Sequence, residues 1–252
     1  MHPYRAVVTL TSSESKRLIA KGVAALPEVH QALAMGRMII GNGTTNAFVA
    51  EELLGVTILK LNYAAGIIAE GKLWVTEPEV RLQPHALVDG QQVDTPWQQV
   101  LADFEGDDVF IKGANAVDPD GLAGVLVAQP EGGTTGAMLG IVASRGSHLI
   151  VPVGLEKLIP SVLEAADHLG IKTTNRVIGL PCGLIPLTGA RVITELEALE
   201  ELFDVEAYHV ASGGIAGSEG AVVIAIEGDQ EEVDAAFALV ESIKGEAPVM
   251  PE

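Results

Sequence analysis

At 252 residues, with 34 acidic against 15 basic side chains, the chain carries a formal net charge of -19. A field of that sign repels nucleic-acid backbones and acidic lipid surfaces, and no Lys/Arg cluster interrupts it, so neither nucleic acid nor membrane is an expected partner. Apolar runs such as 147–155 fall well short of the roughly 20 residues of a membrane helix. The N-terminal segment lacks a basic stretch followed by an apolar one, and the single cysteine, Cys182, permits no internal disulfide. Together these features predict a globular cytoplasmic protein.

Thr11 stands three residues before Glu14 in a capping-box pattern, and Leu18, Val23 and Leu26 recur near helical spacing, which predicts a helix over 12–25. Pro27 opens and Gly36 closes a second helix. In RMIIGNGTTNAFVAEELLG an apolar run breaks at Gly41 and Gly43, then resumes with helical period at Phe48, Leu53 and Leu54. That is strand, glycine turn, helix, with Glu51 and Glu52 on a solvated helix face. Between 56 and 93, β-like runs centre on Ile58, Ile67 and Trp74, and Asp89-Gly90 suits a hairpin turn. Thr95-Pro96-Trp97 starts a further helix, and DDVFIKGAN reads as a buried strand ending at Gly113. Strand GLAGVLVAQ, a helix from near Thr134, strand SHLIVPVG and a helix over 155–169 follow, and 171–189 crosses to a second unit.

Aliphatic strands alternating with helices predict an α/β fold over 1–185, a mostly parallel Rossmann-like sheet with helices on both faces. Over 186–252 the order βαββα, with cap signals at Thr194/Glu197 and Asp229/Glu232, reads as a ferredoxin-like α+β module. Its apolar sheet edge suits pairing with a second copy, so a homo-oligomer is expected. The loop from Ser212 to Gly220 reads as the join between two antiparallel strands.

Gly41, Asn42, Gly43, Thr44, Thr45 and Asn46 lie where a strand gives way to a helix, a place where free backbone N–H groups and the helix dipole favour an anion. The order IIGNGTTNAFVAEEL, IKGANAVDPDG and GGTTGAMLGIVASRGSHLIVPVGLEKLI resembles the type A ribose-phosphate isomerases of the sugar-phosphate isomerase and CoA-transferase fold. The GAN-type strand end is also similar to the lactate-utilisation proteins of that superfamily. The resemblance spans approximately residues 15–160. It implies a phosphate loop at 41–46, a strand end at Gly113, a second glycine-rich helix start at Gly133, Thr134, Thr135 and Gly136, and a counter-charge at Lys157.

The departures from that family bear most on activity. Lys112 and Asn115-Ala116 stand where the isomerases carry acids, and only Asp118 of that set remains. No lysine lies between Gly113 and Glu156, and no acidic residue between Glu131 and Glu156. An isomerase without its acids and base has no proton-transfer path, so ribose-phosphate isomerase activity is not expected. Three readings stay open. One is a binding protein for a small metabolite bearing phosphate or carboxylate. Another is an enzyme acting on a phosphorylated or CoA-linked metabolite, with Lys112, Asn115, Asp118 or Glu131 as reacting groups. The third is a non-catalytic scaffold or regulatory protein. Glu131 enters because CoA transferases use a glutamate nucleophile. Histidine spacing gives no metal motif, and neither a P-loop nor a complete dinucleotide fingerprint occurs, so neither metal nor cofactor is expected. Cys182, in GLPCGLIP, has no obvious base beside it and reads as an inert thiol.

Overall fold

The computed structural model describes residues 3–250. The chain begins with β1 (Tyr4–Leu10), α1 (Ser12–Ala25), α2 (Pro27–Met35), β2 (Arg37–Ile40) and α3 (Thr44–Leu54). The capping box of α1 forms as expected, with Thr11 N–H donating to Glu14 Oε2 at 2.8 Å. Next come the hairpin β3 (Gly66–Ala69) and β4 (Lys72–Val75), the hairpin β5 (His85–Val88) and β6 (Gln91–Gln92), and α4 (Trp97–Ala102). Asp89 and Gly90 both take positive φ, 49° and 72°, in the β5–β6 turn. The run around Ile58 forms no strand; its N–H donates to Glu51 Oε1 at 3.0 Å instead.

β7 (Val109–Ile111), β8 (Ala116–Val117), β9 (Ala123–Val127), α5 (Gly133–Arg145) and β10 (His148–Pro152) follow. The single helix expected over 155–169 is interrupted at Pro160, which leaves a 3-10 turn, Leu155–Lys157, and the short α6 (Val162–Asp167). The segment expected to cross between units holds β11 (Gly183–Leu187), which pairs antiparallel with β9. β12 (Arg191–Ile193), α7 (Glu195–Leu202), β13 (Val205–Gly213), β14 (Ala221–Gly228) and α8 (Gln230–Ser242) complete the chain. Asp229 makes no side-chain cap bond to α8, and Glu232 instead accepts from Asp204 N–H at 3.2 Å.

The result is an α/β protein with mixed sheets and, among the described residues, eight α-helices. The largest sheet has the order β12-β10-β7-β2-β5-β6, with β12, β10, β7 and β2 parallel and the β5–β6 hairpin antiparallel at one end. Successive residues of a strand point to opposite faces, and the aliphatic runs here serve both. Met38, Ile40, Val109, Ile111, Ile150 and Ile193 face one core with α1, α3 and α7. Ile39, Phe110, Leu149 and Val151 face the other with α4 and α5.

The C-terminal elements follow the predicted order but not the predicted pairing. β12 joins the edge of the large sheet, and the third strand beside β13 and β14 is the N-terminal β1. Val8, Leu10, Val222, Ile224 and Ile226 enter the same apolar cluster as α1 and α7. Strand pairing and packing therefore both cross the expected 185/186 boundary, because α1 needs α7 and β14 to cover its apolar face. The tightest contact is at Gly22 of α1, where a Cβ would lie 2.6 Å from Ala198 of α7. Gly22→Ala is expected to cost about 1–3 kcal/mol, read from the urea midpoint, since the helices must move apart. An unchanged midpoint would show that the two helices are not held at this separation.

Glu51 and Glu52 do not lie on a solvated face. Arg17 pairs with Glu51, Glu52 and Glu246 at 2.5, 2.8 and 2.8 Å, and its guanidinium stacks over Phe48 at 4.8 Å, tying α1, α3 and the segment after α8 together. No helix among the described residues is long and apolar enough to cross a membrane.

Candidate functional site

The chain leaves the carboxyl ends of β2, β7 and β10 beside one cleft of about 340 Å³, the edge of a parallel sheet at which ligands ordinarily bind. Asn42, Gly43, Thr44 and Thr45 line it after β2, Lys112 to Asn115 after β7, and Lys157 after β10. Gly133, Thr134 and Thr135, at the start of α5, line it from another side.

Behind the first loop the backbone is pinned. Gly41 N–H donates to Ile111 O at 2.9 Å and Gly43 N–H to Tyr63 O at 3.0 Å. Asn46, fully buried, donates from Nδ2 to Gly41 O at 2.7 Å and to Ile111 O at 3.2 Å. Asn42 Nδ2 donates to Tyr63 O and Leu82 O at 3.1 and 2.9 Å. Gly41 and Asn46, both expected at the ligand, are thus braces that do not line the cleft.

What the bracing presents is the first turn of α3. Gly43 provides no side-chain cap, and the helix's own bonds begin with Ala47 N–H to Gly43 O at 3.0 Å, so the preceding N–H groups have no partner in the helix. Thr45 is 2% exposed, lines the cleft, and its Oγ1 makes no hydrogen bond. The start of α5 is built alike. Gly132 at φ 79° turns the chain without a capping side chain, and the first intrahelical donor is Gly136 N–H to Gly132 O at 3.0 Å. Gly136 itself does not line the cleft. It is exposed, and a Cβ there would meet Glu131 O at 1.9 Å. Each helix start presents roughly half a positive charge.

Three cations complete the lining: Lys112, Lys157 and Arg81. Lys112 Nζ donates to Gly113 O at 3.1 Å and Lys157 Nζ to Ala114 O at 2.9 Å. Burial pushes the Lys112 ammonium down to about 8, and the charge of Lys157 lowers it further toward that value. Burial lowers Lys157 as well, with Glu156 opposing and Lys16 adding to the shift. Among the described residues, no Asp, Glu or His lines the cleft, in a chain whose net charge is -19. Asn115 also lines the cleft, its Oδ1 held by Leu126 N–H at 3.0 Å.

The remaining acids expected at the site lie elsewhere. Asp118 is 6% exposed and accepts from Leu122 N–H at 3.0 Å and Val162 N–H at 2.9 Å, fastening the β8–β9 turn to the start of α6. Asp118→Ala should lower stability by about 1–3 kcal/mol by stranding those donors. Phosphate affinity, measured on the folded variant by calorimetry, should stay within twofold; a tenfold loss would put Asp118 back at the ligand. Glu131 is exposed in a separate shallow groove with Pro130 and Lys172. It is therefore not placed to attack a ligand in the cleft.

The outer wall is apolar. Ile67, Leu73 and Trp74 of the β3–β4 hairpin face the cleft with Trp97, Leu180 and Cys182. Burial raises the Cys182 thiol, which keeps it protonated. The sequence marked Ile67 and Trp74 only as strand residues and passed over Arg81, because a glycine-loop motif carries no information about a hairpin about twenty residues later.

Beneath Lys157 lies a buried polar cluster formed by α1, the 3-10 turn and α7. Lys16 Nζ donates to Glu156 Oε1 at 3.1 Å, and Glu195 Oε2 accepts from Leu155 N–H at 2.9 Å. Ser15 Oγ, Glu156 Oε2 and Glu195 Oε1 have no partner. Burial, then the charge of Glu156, pushes Glu195 up to about 7. Burial acts in the same direction on Glu156, but Lys16 and Lys157 outweigh it and hold that carboxyl below its ordinary value.

No family model, curated protein or solved structure matches the chain.

Proposed function

We propose that the protein binds a small metabolite through a phosphate or carboxylate group in this cleft. The carrying observation is the meeting of two uncapped helix starts with Lys112, Lys157 and Arg81 in a lining that has no carboxylate. The three sequence motifs of the isomerase and CoA-transferase resemblance all reach this cleft, which supports reading the large sheet as a divergent Rossmann-like relative of that fold. A lining without carboxylates also supports the view that the activity is not ribose-phosphate isomerisation, which needs a base beside the sugar carbons. The apolar wall at Ile67, Leu73 and Trp74 suits a ligand whose body is less polar than its head.

Affinity is expected to fall as pH rises through about 8, where Lys112 loses its charge. A thermal-shift panel tests the reading with inorganic phosphate, phosphosugars, nucleotides, CoA esters and short carboxylic acids, each beside a neutral analogue. A ligand at 100 times its Kd adds about 2.7 kcal/mol of stability. Stabilisation confined to the anionic members supports the proposal; equal stabilisation by the neutral analogues contradicts it.

A further inference from the structure

We propose that Lys112 is an amine nucleophile that forms an imine with an aldehyde or ketone whose phosphate or carboxylate is held by the helix starts of this cleft. The inference rests on the anion-binding reading and names the substrate class and the reacting atom. Lys16, Lys21, Lys60, Lys72 and Lys244 each sit in an ion pair with a glutamate, Lys157 has Glu156 close by, and Lys172 is exposed to water and does not line the cleft. Among the described residues Lys112 has no such partner; its ammonium donates only to the neighbouring Gly113 carbonyl. Its methylene stem packs beside Gly41, where a Cβ would lie 3.4 Å from Lys112 Cδ, and the like charge of Lys157 acts on it. A lysine desolvated beside another cation loses its proton readily, which is the condition for attack on a carbonyl.

The Nζ lone pair adds to the carbonyl carbon while the carbonyl oxygen takes a proton, for which the Lys157 ammonium is the adjacent donor. Loss of a proton from nitrogen gives the neutral carbinolamine. That intermediate expels its hydroxyl, protonated on departure, as water and leaves the protonated imine. Lys157 takes back the proton lost from nitrogen and gives it to the departing hydroxyl, so one free amine, one carbonyl and one proton give one protonated imine and one water, with no redox change. At pH 7 a value of about 8 leaves Lys112 with about 200-fold more free amine than an ordinary lysine at roughly 10.4.

The test treats the full chain with pyridoxal 5'-phosphate, a phosphate-bearing aldehyde, at pH 7, then reduces with borohydride and maps the adduct by mass spectrometry. The expected result is one dominant adduct on Lys112, competed by inorganic phosphate, weak with pyridoxal lacking the phosphate, and lost in Lys112→Met. Labelling spread over exposed lysines, or surviving in Lys112→Met, would overturn the proposal. Should that variant fail to fold, the pH–rate profile of wild-type labelling decides: a midpoint near 8 supports Lys112, and one above 10 rejects it. Calorimetry with inorganic phosphate separates the two readings. Phosphate binding without a Lys112 adduct removes only the imine, whereas absence of phosphate binding removes the anion site and the imine with it.

Discussion

Lys157→Met weakens phosphate binding by about 10- to 100-fold at pH 7. A charge-assisted hydrogen bond contributes about 1.5–3 kcal/mol, and each 1.4 kcal/mol is tenfold in Kd. Lys157 is half-buried in an open cleft, and its side chain is already fixed by its bond to Ala114 O at 2.9 Å, so little ordering offsets that contribution when the anion arrives. Removing this charge also relieves its repulsion of Lys112, which then holds its proton to higher pH. At pH 7 Lys112 is mostly charged in both proteins and the loss is fully seen. At pH 9 the wild-type Lys112 is mostly neutral while the variant's regains charge, so the difference between the two proteins narrows. Isothermal titration at both pH values checks this; equal affinities at pH 7 would remove Lys157 from the site.

Glu195→Gln is expected to raise stability by about 3 kcal/mol above pH 7 and to leave it nearly unchanged near pH 4. Glu195 is fully buried, and its folded-state value of about 7 lies above the ordinary 4.5. Between those two pH values the folded chain holds a proton that the unfolded chain releases. The stability contributed by the protonated carboxyl is therefore complete below about pH 4.5 and is lost as pH rises to about 7. Glutamine is neutral throughout and loses nothing. The groups that face Glu195 are Ser15 on α1 and Glu156 and Lys157 on the 3-10 turn, and the ion pair of Lys16 with Glu156 does not involve it and stays in place in the variant. Denaturant titrations from pH 4 to 9 should show the two proteins diverging between 4.5 and 7. Parallel curves across that range would mean that Glu195 is already charged in the folded protein between pH 4.5 and 7.

The loop–helix geometry was legible in the sequence because it is local. Two glycines after an apolar run, or a Gly-Gly-Thr-Thr string before helical periodicity, state where a helix starts and that no side chain caps it, and both starts formed. The individual donors were less legible. Gly41 and Asn46 belong to the same motif as Thr45, yet Gly41 N–H and Asn46 Nδ2 both donate to Ile111 O, a strand away, and that pairing depends on how β2 lies against β7. Asp118 was read through a family pattern in which it is an acid of the active site; its two backbone donors come from segments four and forty-four residues later. The pairing of the C-terminal strands was hard to read for a similar reason. Nothing in the order of elements over 186–252 says that β1, some two hundred residues earlier, supplies the third strand. Lys112 was visible as a substitution, but its lack of a carboxylate partner is a property of the folded neighbourhood.

The most direct measurement of the central claim is a phosphate titration followed by amide nitrogen–proton NMR. The N–H signals of Thr44, Thr45, Gly133, Thr134 and Thr135 are expected to shift together, with one shared Kd that weakens above pH 8. Shifts that leave these five amides unmoved while phosphate binds would contradict it.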